Sequence, residues 1–323
     1  MTSALEVSLA RLRWRLRHAL RPQRAAGRTE WAFIQDSDTW SPNTICRRIA
    51  ERLNVDSAQV QYEEPMFWPD ATVYFFAHFS FFRTFLRSHP HPEKKRTLVF
   101  FTHYAFAPGG EDAVVRDLRA ADVVFAVSTS WRDWLVAHGL DAAKIVVVLL
   151  GTDASVFTAG RSTRPTVGFC GGYQERKDPD LMWKLVESMP DVDFILLGRN
   201  WEQHAGFAGV SWRPNFRYSI TAYDRYAAVY HQMRVFVNTT RLDGGPLGLL
   251  EAMMCDVLPV STTVGFAPDI IEHGQNGLLF EPGASLTDVV ALVRRALATD
   301  LPVRPSVLHL TWERFADLVI ASA

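Results

Sequence analysis

The segment that spans residues 235–254 constrains the fold more than any other part of this chain. A short apolar run, residues 235–237, has the pattern of a buried strand, and residues 247–254 have the pattern of a buried helix. Gly244, Gly245 and Pro246 disfavour helix, so the helix is predicted to begin near Leu247. Such a helix start directs unpaired N–H groups and the positive end of a dipole at the loop, which favours binding of an anion such as phosphate.

Two carboxylates flank this predicted anion site. Asp243 precedes the turn, and Glu251 follows about one turn into the helix. A carboxylate close to phosphate would be repelled by it, so these side chains are expected to accept hydrogen bonds from hydroxyl groups instead. The chemistry alone therefore predicts a pocket for a phosphorylated polyol such as a sugar nucleotide. The alternative is that the two acids are simply spaced along a solvated helix face.

The order of residues around these acids resembles the E-x7-E signature of family 4 glycosyltransferases. In this chain the first glutamate of the signature is replaced by Asp243, and the second is Glu251. The resemblance continues for about forty residues in all. It includes Leu258-Pro-Val260, Gly265, Asp269-Ile-Ile-Glu272 and Gly274-Gln-Asn-Gly277-Leu-Leu-Phe.

This resemblance implies an α/β protein of the GT-B class, in which two facing Rossmann-like domains with parallel sheets enclose an interdomain active site. It further implies a retaining glycosyltransferase that uses a nucleoside-diphosphate sugar as donor. In such an enzyme Glu251 would hold the ribose and Asp243 the hydroxyls of the donor sugar. The helix start at Pro246, Leu247 and Gly248 would meet the diphosphate.

Composition is consistent with this reading. The 323 residues have room for two domains, and 48% hydrophobic with 21% charged residues is typical of a globular protein. A formal net charge of −1 gives no general attraction to nucleic acid. Three widely spaced cysteines suggest buried thiols in a reducing, cytoplasmic compartment. No apolar run approaches the length of a membrane span, and no secretory signal is visible.

Alternating strand and helix patterns divide the chain into segments. Continuous apolar strands separated by helices predict parallel sheets that are covered on both faces. Strands are predicted at residues 32–34, 71–76, 98–103, 121–127, 144–150, 166–170, 194–198, 210–212 and 235–237. Residues 30–158 form the predicted amino-terminal domain and residues 162–303 the nucleotide-sugar domain, joined by a linker near residues 160–165. The last helix, in residues 304–323, is expected from the resemblance to return to the first domain.

A glycine-rich turn follows the first strand of the second predicted domain. Gly171 and Gly172 allow the backbone to approach a pyrophosphate, and the nearby cations Arg176 and Lys177 can offset its charge. In the family an arginine after the glycine and a later lysine do this work. Here Lys177 falls on the lysine position, whereas Gly172 occupies the arginine position and Arg176 is the candidate replacement. Cations of an ordinary surface loop are the alternative.

His103 follows a predicted strand, at the end of a parallel sheet where ligands bind. The family has a histidine near the donor sugar at the matching place, and a hydrogen-bonded core histidine is the alternative. No metal is expected, because no metal-ligand spacing stands out. The Asp36–Asp38 and Asp191–Asp193 pairs resemble a metal motif of a different fold only weakly. The loop that contains Trp40 departs from the family's Gly-Gly pattern, so acceptor recognition cannot be transferred.

The sequence therefore predicts a glycosyltransferase in which His103, Asp243, Lys177 and Arg176 act directly in the transfer. Its partners would be a nucleotide-sugar donor and a glycan, lipid-linked or other hydroxyl acceptor, with a role in cell-surface polysaccharide synthesis. Two alternatives stay open at this point. One is a sugar-nucleotide epimerase of the same fold, and the other is a binding module that does not catalyse transfer.

The first 29 residues form a separate basic segment. Five leucines recur at helical spacing (Leu5, Leu9, Leu12, Leu16 and Leu20), and seven arginines accompany a single glutamate in residues 1–28. A basic amphipathic helix of this kind can lie on an anionic membrane surface, so peripheral binding to the cytoplasmic face is expected. A helix that packs its leucines against its own domain is the alternative.

This expectation predicts that the full chain co-sediments with anionic vesicles and binds neutral vesicles weakly. Each arginine near an anionic surface adds about 1 kcal/mol that salt screens, so binding should fall as salt rises. A chain that lacks residues 1–28 should remain in the supernatant and still bind nucleotide. Equal sedimentation of the two chains, or unfolding of the shortened one, would assign the helix to the protein core.

Overall fold

The computed structural model describes residues 29–36, 41–62, 65, 68–105 and 109–323. These residues form two compact units. The first comprises the described residues up to Val148 together with Glu313–Ala323, and the second comprises Leu149–Trp312. The predicted basic helix, Asp38 and Trp40 lie outside the described residues.

The first unit is built on a six-stranded parallel sheet. Its strands are β1 (Thr29–Gln35), β2 (Ser57–Gln61), β3 (Ala71–Phe76), β4 (Arg96–Phe101), β5 (Val123–Ala126) and β6 (Ile145–Val147). They lie in the order β2-β1-β3-β4-β5-β6. The accompanying helices are α1 (Ser41–Arg52), α2 (Phe79–Ser88), α3 (Gly110–Leu118) and α4 (Thr129–Ala137).

The second unit is built on another six-stranded parallel sheet. Its strands are β7 (Thr166–Cys170), β8 (Asp193–Leu197), β9 (Phe216–Ser219), β10 (Val235–Asn238), β11 (Leu258–Thr262) and β12 (Leu278–Phe280). They lie in the order β12-β11-β10-β7-β8-β9, which is the doubly wound Rossmann order. Its helices are α5 (Pro179–Ser188), α6 (Phe207–Val210), α7 (Tyr226–Tyr230), α8 (Leu247–Met254), α9 (Ala267–Ile270), α10 (Leu286–Leu297) and α11 (Arg304–Val307).

The last helix, α12 (Trp312–Ala321), packs with the first unit. The ring of Phe315 lies edge-on to that of Phe100 on β4, with 5.8 Å between the centroids. Asp317 accepts a hydrogen bond of 2.7 Å from Nε of Arg52 at the end of α1. An apolar contact and an ion pair therefore both fix this helix on the first sheet.

Both sheets are buried on both faces, as the apolar strand patterns predict. The side chains of Phe33, Phe75 and Phe100 in the first unit have no exposed surface, and Val235 and Val260 have none in the second. Because helices cover each face, successive residues of a strand are apolar rather than alternating in polarity. The predicted strands at residues 71–76 and 166–170 match β3 and β7 in full.

The prediction of a strand at residues 210–212 is wrong. Val210 is the last residue of the short helix α6, and the next strand, β9, starts at Phe216. Four strands, β2, β9, β11 and β12, were absent from the predicted strands. β2, β9 and β12 are edge strands of their sheets, whereas β11 is a buried central strand. β2 and β9 are partly exposed, so they lack the apolar run that marks a central strand.

Gly168 in the middle of β7 is a testable point of tight packing. A Cβ atom placed on Gly168 would lie 1.9 Å from Sδ of Met233, so Gly168→Ala forces a shift in the core. We expect it to lower the free energy of unfolding by about 1–3 kcal/mol, as overpacking does. The measurement is denaturant unfolding of the full chain.

Gly209→Ala in α6 is the matched control, because no atom lies within 4 Å of the Cβ position of Gly209. Alanine also favours helix over glycine, so this variant should be neutral or slightly stabilising. Equal effects of the two substitutions would contradict the packing of β7 described above.

Candidate active site

The predicted site residues of the second unit meet where the strand order of its sheet reverses. β7 and β10 are parallel neighbours, with Val167 opposite Val235. The strands that follow β7 are added toward one edge of the sheet, and those that follow β10 are added toward the other edge. Ligands of open parallel sheets bind in the crevice that such a reversal leaves at the carboxyl ends of the strands. Gly171 follows β7 at this end, and the loop that leads to Asp243 follows β10.

Gly171 forms a turn that no other residue type fits. Its φ angle is +124°, and a Cβ atom there would lie 2.8 Å from Nζ of Lys177. Nε1 of the buried Trp201 donates a hydrogen bond of 2.7 Å to the Gly171 carbonyl oxygen. Since a trans peptide holds its C=O and N–H antiparallel, the amide of Gly172 points away from Trp201. Within the described residues, this amide has no backbone acceptor.

A neighbouring loop packs backbone to backbone against this turn. Gly198, directly after β8, has a φ angle of +158°, and a Cβ atom on it would lie 2.0 Å from the Gly171 carbonyl oxygen. Gly172 differs from both glycines, because its Cβ position has no neighbour closer than 3.8 Å. The turn therefore requires glycine at positions 171 and 198, whereas position 172 has room for a side chain.

Lys177 lies over the Gly171 turn and is partly buried. Burial lowers the pKa of its ammonium group, an effect that the negative charge of Asp243 opposes. Among the described residues, no carboxylate forms an ion pair with Lys177. A partly desolvated ammonium group beside unpaired amides is suited to bind a phosphate group.

Arg176 and Asp243 contact each other directly. NH1 of Arg176 donates a 2.6 Å hydrogen bond to Oδ2 of Asp243 and a 2.7 Å hydrogen bond to the carbonyl oxygen of Leu242. Both side chains are mostly buried, with 18% and 11% of their surface exposed. Arg176 is thus engaged in holding the loop after β10, and it positions Asp243.

Further hydrogen bonds tie the loop after β7 to the loop after β10. Oγ1 of Thr239 donates a hydrogen bond of 2.6 Å to the carbonyl oxygen of Lys177. The backbone amide of Arg241 donates one of 2.7 Å to the carbonyl oxygen of Arg176. Asp178 receives two hydrogen bonds of 2.8 Å from the guanidinium of Arg241 and is 5% exposed. A bidentate pair of this kind, here between a buried carboxylate and an exposed guanidinium, fixes both distance and orientation.

The helix predicted near Leu247 begins at that residue. Leu249 donates its amide to the carbonyl oxygen of Pro246 at 2.8 Å, while the amides of Leu247 and Gly248 have no backbone acceptor among the described residues. A Cβ atom on Gly248 would lie 3.2 Å from Cβ of Cys170. Glycine there lets the first turn of α8 approach the end of β7, which brings the unpaired amides to the strand ends.

Glu251 is buried, with 2% of its surface exposed, and tyrosines bind both of its carboxylate oxygens. Tyr223 donates to Oε1 at 2.6 Å and Tyr230 to Oε2 at 2.8 Å. Burial raises the pKa of Glu251 to about 7, and the two hydrogen bonds act against that rise. Tyr230 is fully buried, whereas Tyr223 is 51% exposed. Glu251 is therefore a hydroxyl-binding carboxylate whose Oε1 side is covered by a partly exposed residue.

The structure places His103 in the first unit, just beyond the carboxyl end of β4. His78, at the end of the adjacent β3, lies close enough for His103 to affect its charge. The pKa of His78 is lowered to about 4, chiefly by burial and further by His103. Nδ1 of His78 accepts a hydrogen bond from the backbone amide of Ser80 and so caps helix α2. His78 is thus a helix cap that lies next to the predicted site residue His103.

Several residues of the candidate site in the second unit were not predicted from the sequence. Tyr223, Tyr230, Trp201 and the Asp178–Arg241 pair contact the predicted residues, but each lies far from them along the chain or in an unremarkable context. Their only sequence signal is position, because Trp201 follows β8 and Arg241 follows β10, both at the carboxyl edge of the sheet.

A cavity of about 430 Å³ lies at the opposite edge of the same sheet. Its lining includes Thr166, Asp193 and Phe216, the first residues of β7, β8 and β9. The residues discussed above are absent from its lining. Because ligands of parallel sheets bind at the carboxyl ends, this cavity is separate from the candidate site.

Among the described residues, no group of three or more histidine, cysteine, aspartate or glutamate side chains is arranged to hold a metal ion. No helix in the described part of the chain is long and apolar enough to cross a membrane.

The region that forms this site matches a known family. Residues 164–299 match the model of the family described as glycosyl transferases group 1. These residues are thus similar to a glycosyl transferases group 1 domain. The resemblance found around Asp243 and Glu251 is thereby confirmed at the level of the family.

Curated relatives are about one quarter identical to this chain over the aligned residues. The D-inositol 3-phosphate glycosyltransferase of Mycobacteroides abscessus is 26% identical over 239 residues, which cover 66% of this chain and 53% of the relative. A phosphatidylinositol N-acetylglucosaminyltransferase subunit of Arabidopsis thaliana is 24% identical over 233 residues, which cover 66% and 51%. The chain spans about half the length of the curated relatives it matches.

Solved glycosyltransferase structures share the fold over nearly the whole chain. The Anabaena Alr3699/HepE structure in complex with UDP-glucose has a TM-score of 0.72 at 13% identity and covers 91% of this chain and 99% of its own. Sucrose-phosphate synthase from Thermosynechococcus elongatus has a TM-score of 0.75 at 13% identity. The match covers 91% of this chain and 98% of the synthase chain. The predicted α/β class with parallel sheets of the GT-B type is confirmed.

The raised pKa of Glu251 predicts a pH-dependent stability. In the unfolded chain this carboxyl has an ordinary pKa near 4.5, so the stability that its raised folded pKa contributes is present below about pH 4.5 and is lost as pH rises through about 7. Glu251→Gln removes the buried charge. The variant should match the parent near pH 4.5 and exceed its free energy of unfolding by at most about 3 kcal/mol near pH 8.

The measurement is denaturant unfolding of both proteins across this pH range. Glu187→Gln, on an exposed position of α5, is the control and should leave the pH profile unchanged. Parallel profiles of the parent and Glu251→Gln would show that Glu251 titrates as an ordinary exposed carboxyl.

Proposed function

We propose that this protein is a glycosyltransferase that moves a sugar from a nucleoside-diphosphate sugar to a hydroxyl acceptor. The observation that supports this most is the convergence at one sheet reversal of three elements. These are the Lys177 ammonium group, the buried carboxylate of Glu251, and the amides of Gly172, Leu247 and Gly248, which have no backbone acceptor among the described residues. Donors for a diphosphate thus lie on the loop after β7 and at the start of α8, and an acceptor for hydroxyls lies on the same helix.

In the proposed reaction, the protein stabilises negative charge that grows on the departing diphosphate. Amides that are fixed by the fold, and an ammonium group that is already partly desolvated, need little reorganisation to do so. Trp201 keeps the Gly172 amide in place through the Gly171 carbonyl, and the start of α8 adds two further amides. These groups belong to the rigid edge of the sheet, which suits preorganised stabilisation.

The two acids would divide the remaining part of the donor between them. Glu251 would accept hydrogen bonds from the ribose, and Asp243 from the sugar. Because Asp243 is one methylene shorter than glutamate and is paired with Arg176, its carboxylate is held back toward the loop. This difference would influence which sugar is accepted. Arg176 then serves mainly to position Asp243 and contributes to the diphosphate only through its charge.

The acceptor and the stereochemistry are further parts of the proposal. By family resemblance the transfer retains the configuration of the sugar, with the acceptor hydroxyl attacking on the face that the diphosphate leaves. Two relatives are named for D-inositol 3-phosphate and phosphatidylinositol, so phosphorylated polyols join glycans and lipid-linked glycans among acceptors to be tested. A membrane-bound acceptor would suit the basic segment of residues 1–28.

Lys177→Ala tests this function. Loss of a charged hydrogen bond costs about 1.5–3 kcal/mol, so the affinity for the nucleoside diphosphate that binds should fall about ten- to a hundredfold. Sugar transfer or donor hydrolysis should slow in parallel. Titration calorimetry with UDP, GDP and ADP, followed by a donor-turnover assay, measures both quantities.

Lys184→Ala removes the same charge from an exposed position on α5 and is the matched control. It should bind and turn over like the parent. Unchanged donor binding in Lys177→Ala would remove Lys177 from the site. Tight nucleotide binding by the parent without hydrolysis or transfer of any donor would favour the non-catalytic binding module instead.

A further inference from the structure

Arg176 was the sequence-based candidate to supply the cation that position 172 lacks, but its contacts make it a poor one. Its guanidinium group is bound to the Asp243 carboxylate and to the carbonyl oxygen of Leu242, and the side chain is mostly buried. Moving it toward a ligand would break its ion pair with the mostly buried Asp243, at a considerable cost. The second cation of the site should therefore come from another residue.

Arg199 lies beside the position where that cation is missing. Its Cγ atom is 3.8 Å and its carbonyl oxygen 3.9 Å from the Cβ position of Gly172. The amide of Tyr173 donates to the Arg199 carbonyl oxygen at 2.9 Å, and the preceding Gly198 packs against the Gly171 carbonyl. The backbone of Arg199 is thus fixed to the glycine-rich turn on both sides.

The guanidinium group of Arg199 is available for a ligand. Arg199 is exposed, and no carboxylate of the described residues forms an ion pair with it. Burial is the main cause that raises the pKa of Tyr226 to about 12, and the positive charge of Arg199 acts against this rise. Tyr226 contacts Tyr223, which binds Glu251. Arg199 therefore lies beside the glycine turn and acts on Tyr226, a neighbour of the tyrosine that binds Glu251.

We propose that Arg199 binds the diphosphate of the donor and takes the place of an arginine at position 172. Arg199 would then be a further binding residue of the site described under the proposed function, on which this proposal rests. An exposed arginine that is fixed at its backbone and free at its guanidinium can bind phosphate oxygens in a bidentate manner. Gly172 leaves the space through which the Arg199 side chain passes.

The test compares binding of nucleoside diphosphates and of the matching nucleosides to three variants. Arg199→Ala should weaken binding of the diphosphate about tenfold and change nucleoside binding little, since only the diphosphate meets the guanidinium. The difference should shrink at high salt, because an exposed charge is screened. Arg164→Ala, an exposed arginine at the amino end of β7, is the matched charge control and should bind like the parent.

The third variant, Arg199→Ala with Gly172→Arg, restores an arginine from the other position. Position 172 has no positive φ angle and no close neighbour, so the side chain fits there without strain. We expect it to recover most of the lost diphosphate affinity, which a purely structural role of Arg199 would not allow. Thermal unfolding of each variant confirms that the fold is retained.

The outcomes separate this inference from the proposed function. Weak binding to Lys177→Ala but normal binding to Arg199→Ala would overturn the role of Arg199 and leave the function standing. Equal losses for diphosphate and nucleoside, or no recovery in the double variant, would also overturn it. If UDP, GDP and ADP all fail to bind the parent protein, the proposed function falls and this inference falls with it.

Discussion

Both sheets of this protein are parallel, and a parallel sheet must be covered by helices on both faces. Every strand therefore leads into a connection that starts at the same edge, so the loops after the strands gather there. In the second unit this edge holds the turn after β7, the loop after β8 and the loop after β10. Where the strand order reverses, the loops diverge and leave room for a ligand. The site is a consequence of that topology, and its side chains give it chemistry.

Close backbone contact makes the edge rigid. The Gly198 and Gly171 backbones touch, Trp201 holds the Gly171 carbonyl, and Arg241 joins the loop after β10 to the cap of α5 through Asp178. None of these groups needs to touch a ligand to matter. They fix the direction of the Gly172 amide and the position of Lys177, and an electrostatic site acts through fixed dipoles and charges.

The sequence predicts the parts of this fold whose signal is local. Central strands such as β3 and β7 are apolar throughout, and the helix start at Leu247 is set by Gly244, Gly245 and Pro246. The edge strands β2 and β9 were missed because partial exposure removes the apolar run, and the edge strand β12 because it has only three residues. The central strand β11 was missed although it is buried, because Pro259 and its polar end, Ser261 and Thr262, obscure the strand pattern. Helix α2 was missed as well, because its four phenylalanines continue the aromatic run of β3 and its cap is a histidine rather than a common capping residue. The residues of the site likewise fall into those with a local sequence signal and those without one. Glycines and cations beside a strand end are visible locally, whereas the Tyr223–Glu251–Tyr230 cluster and the Arg176–Asp243 pair exist only after folding.

The buried carboxylate of Glu251 has a consequence for how ligand binding is coupled to protons. With a pKa of about 7, it exchanges a proton with solvent within the range of ordinary cellular pH. A ribose hydroxyl that donates to Glu251 selects the ionised form, so binding near or below neutral pH would release a proton to solvent. Acidification would then act as a competitor of the nucleotide at its ribose contact. A sugar donor and a hydrogen ion would thus share one binding equilibrium, through a side chain that is 2% exposed.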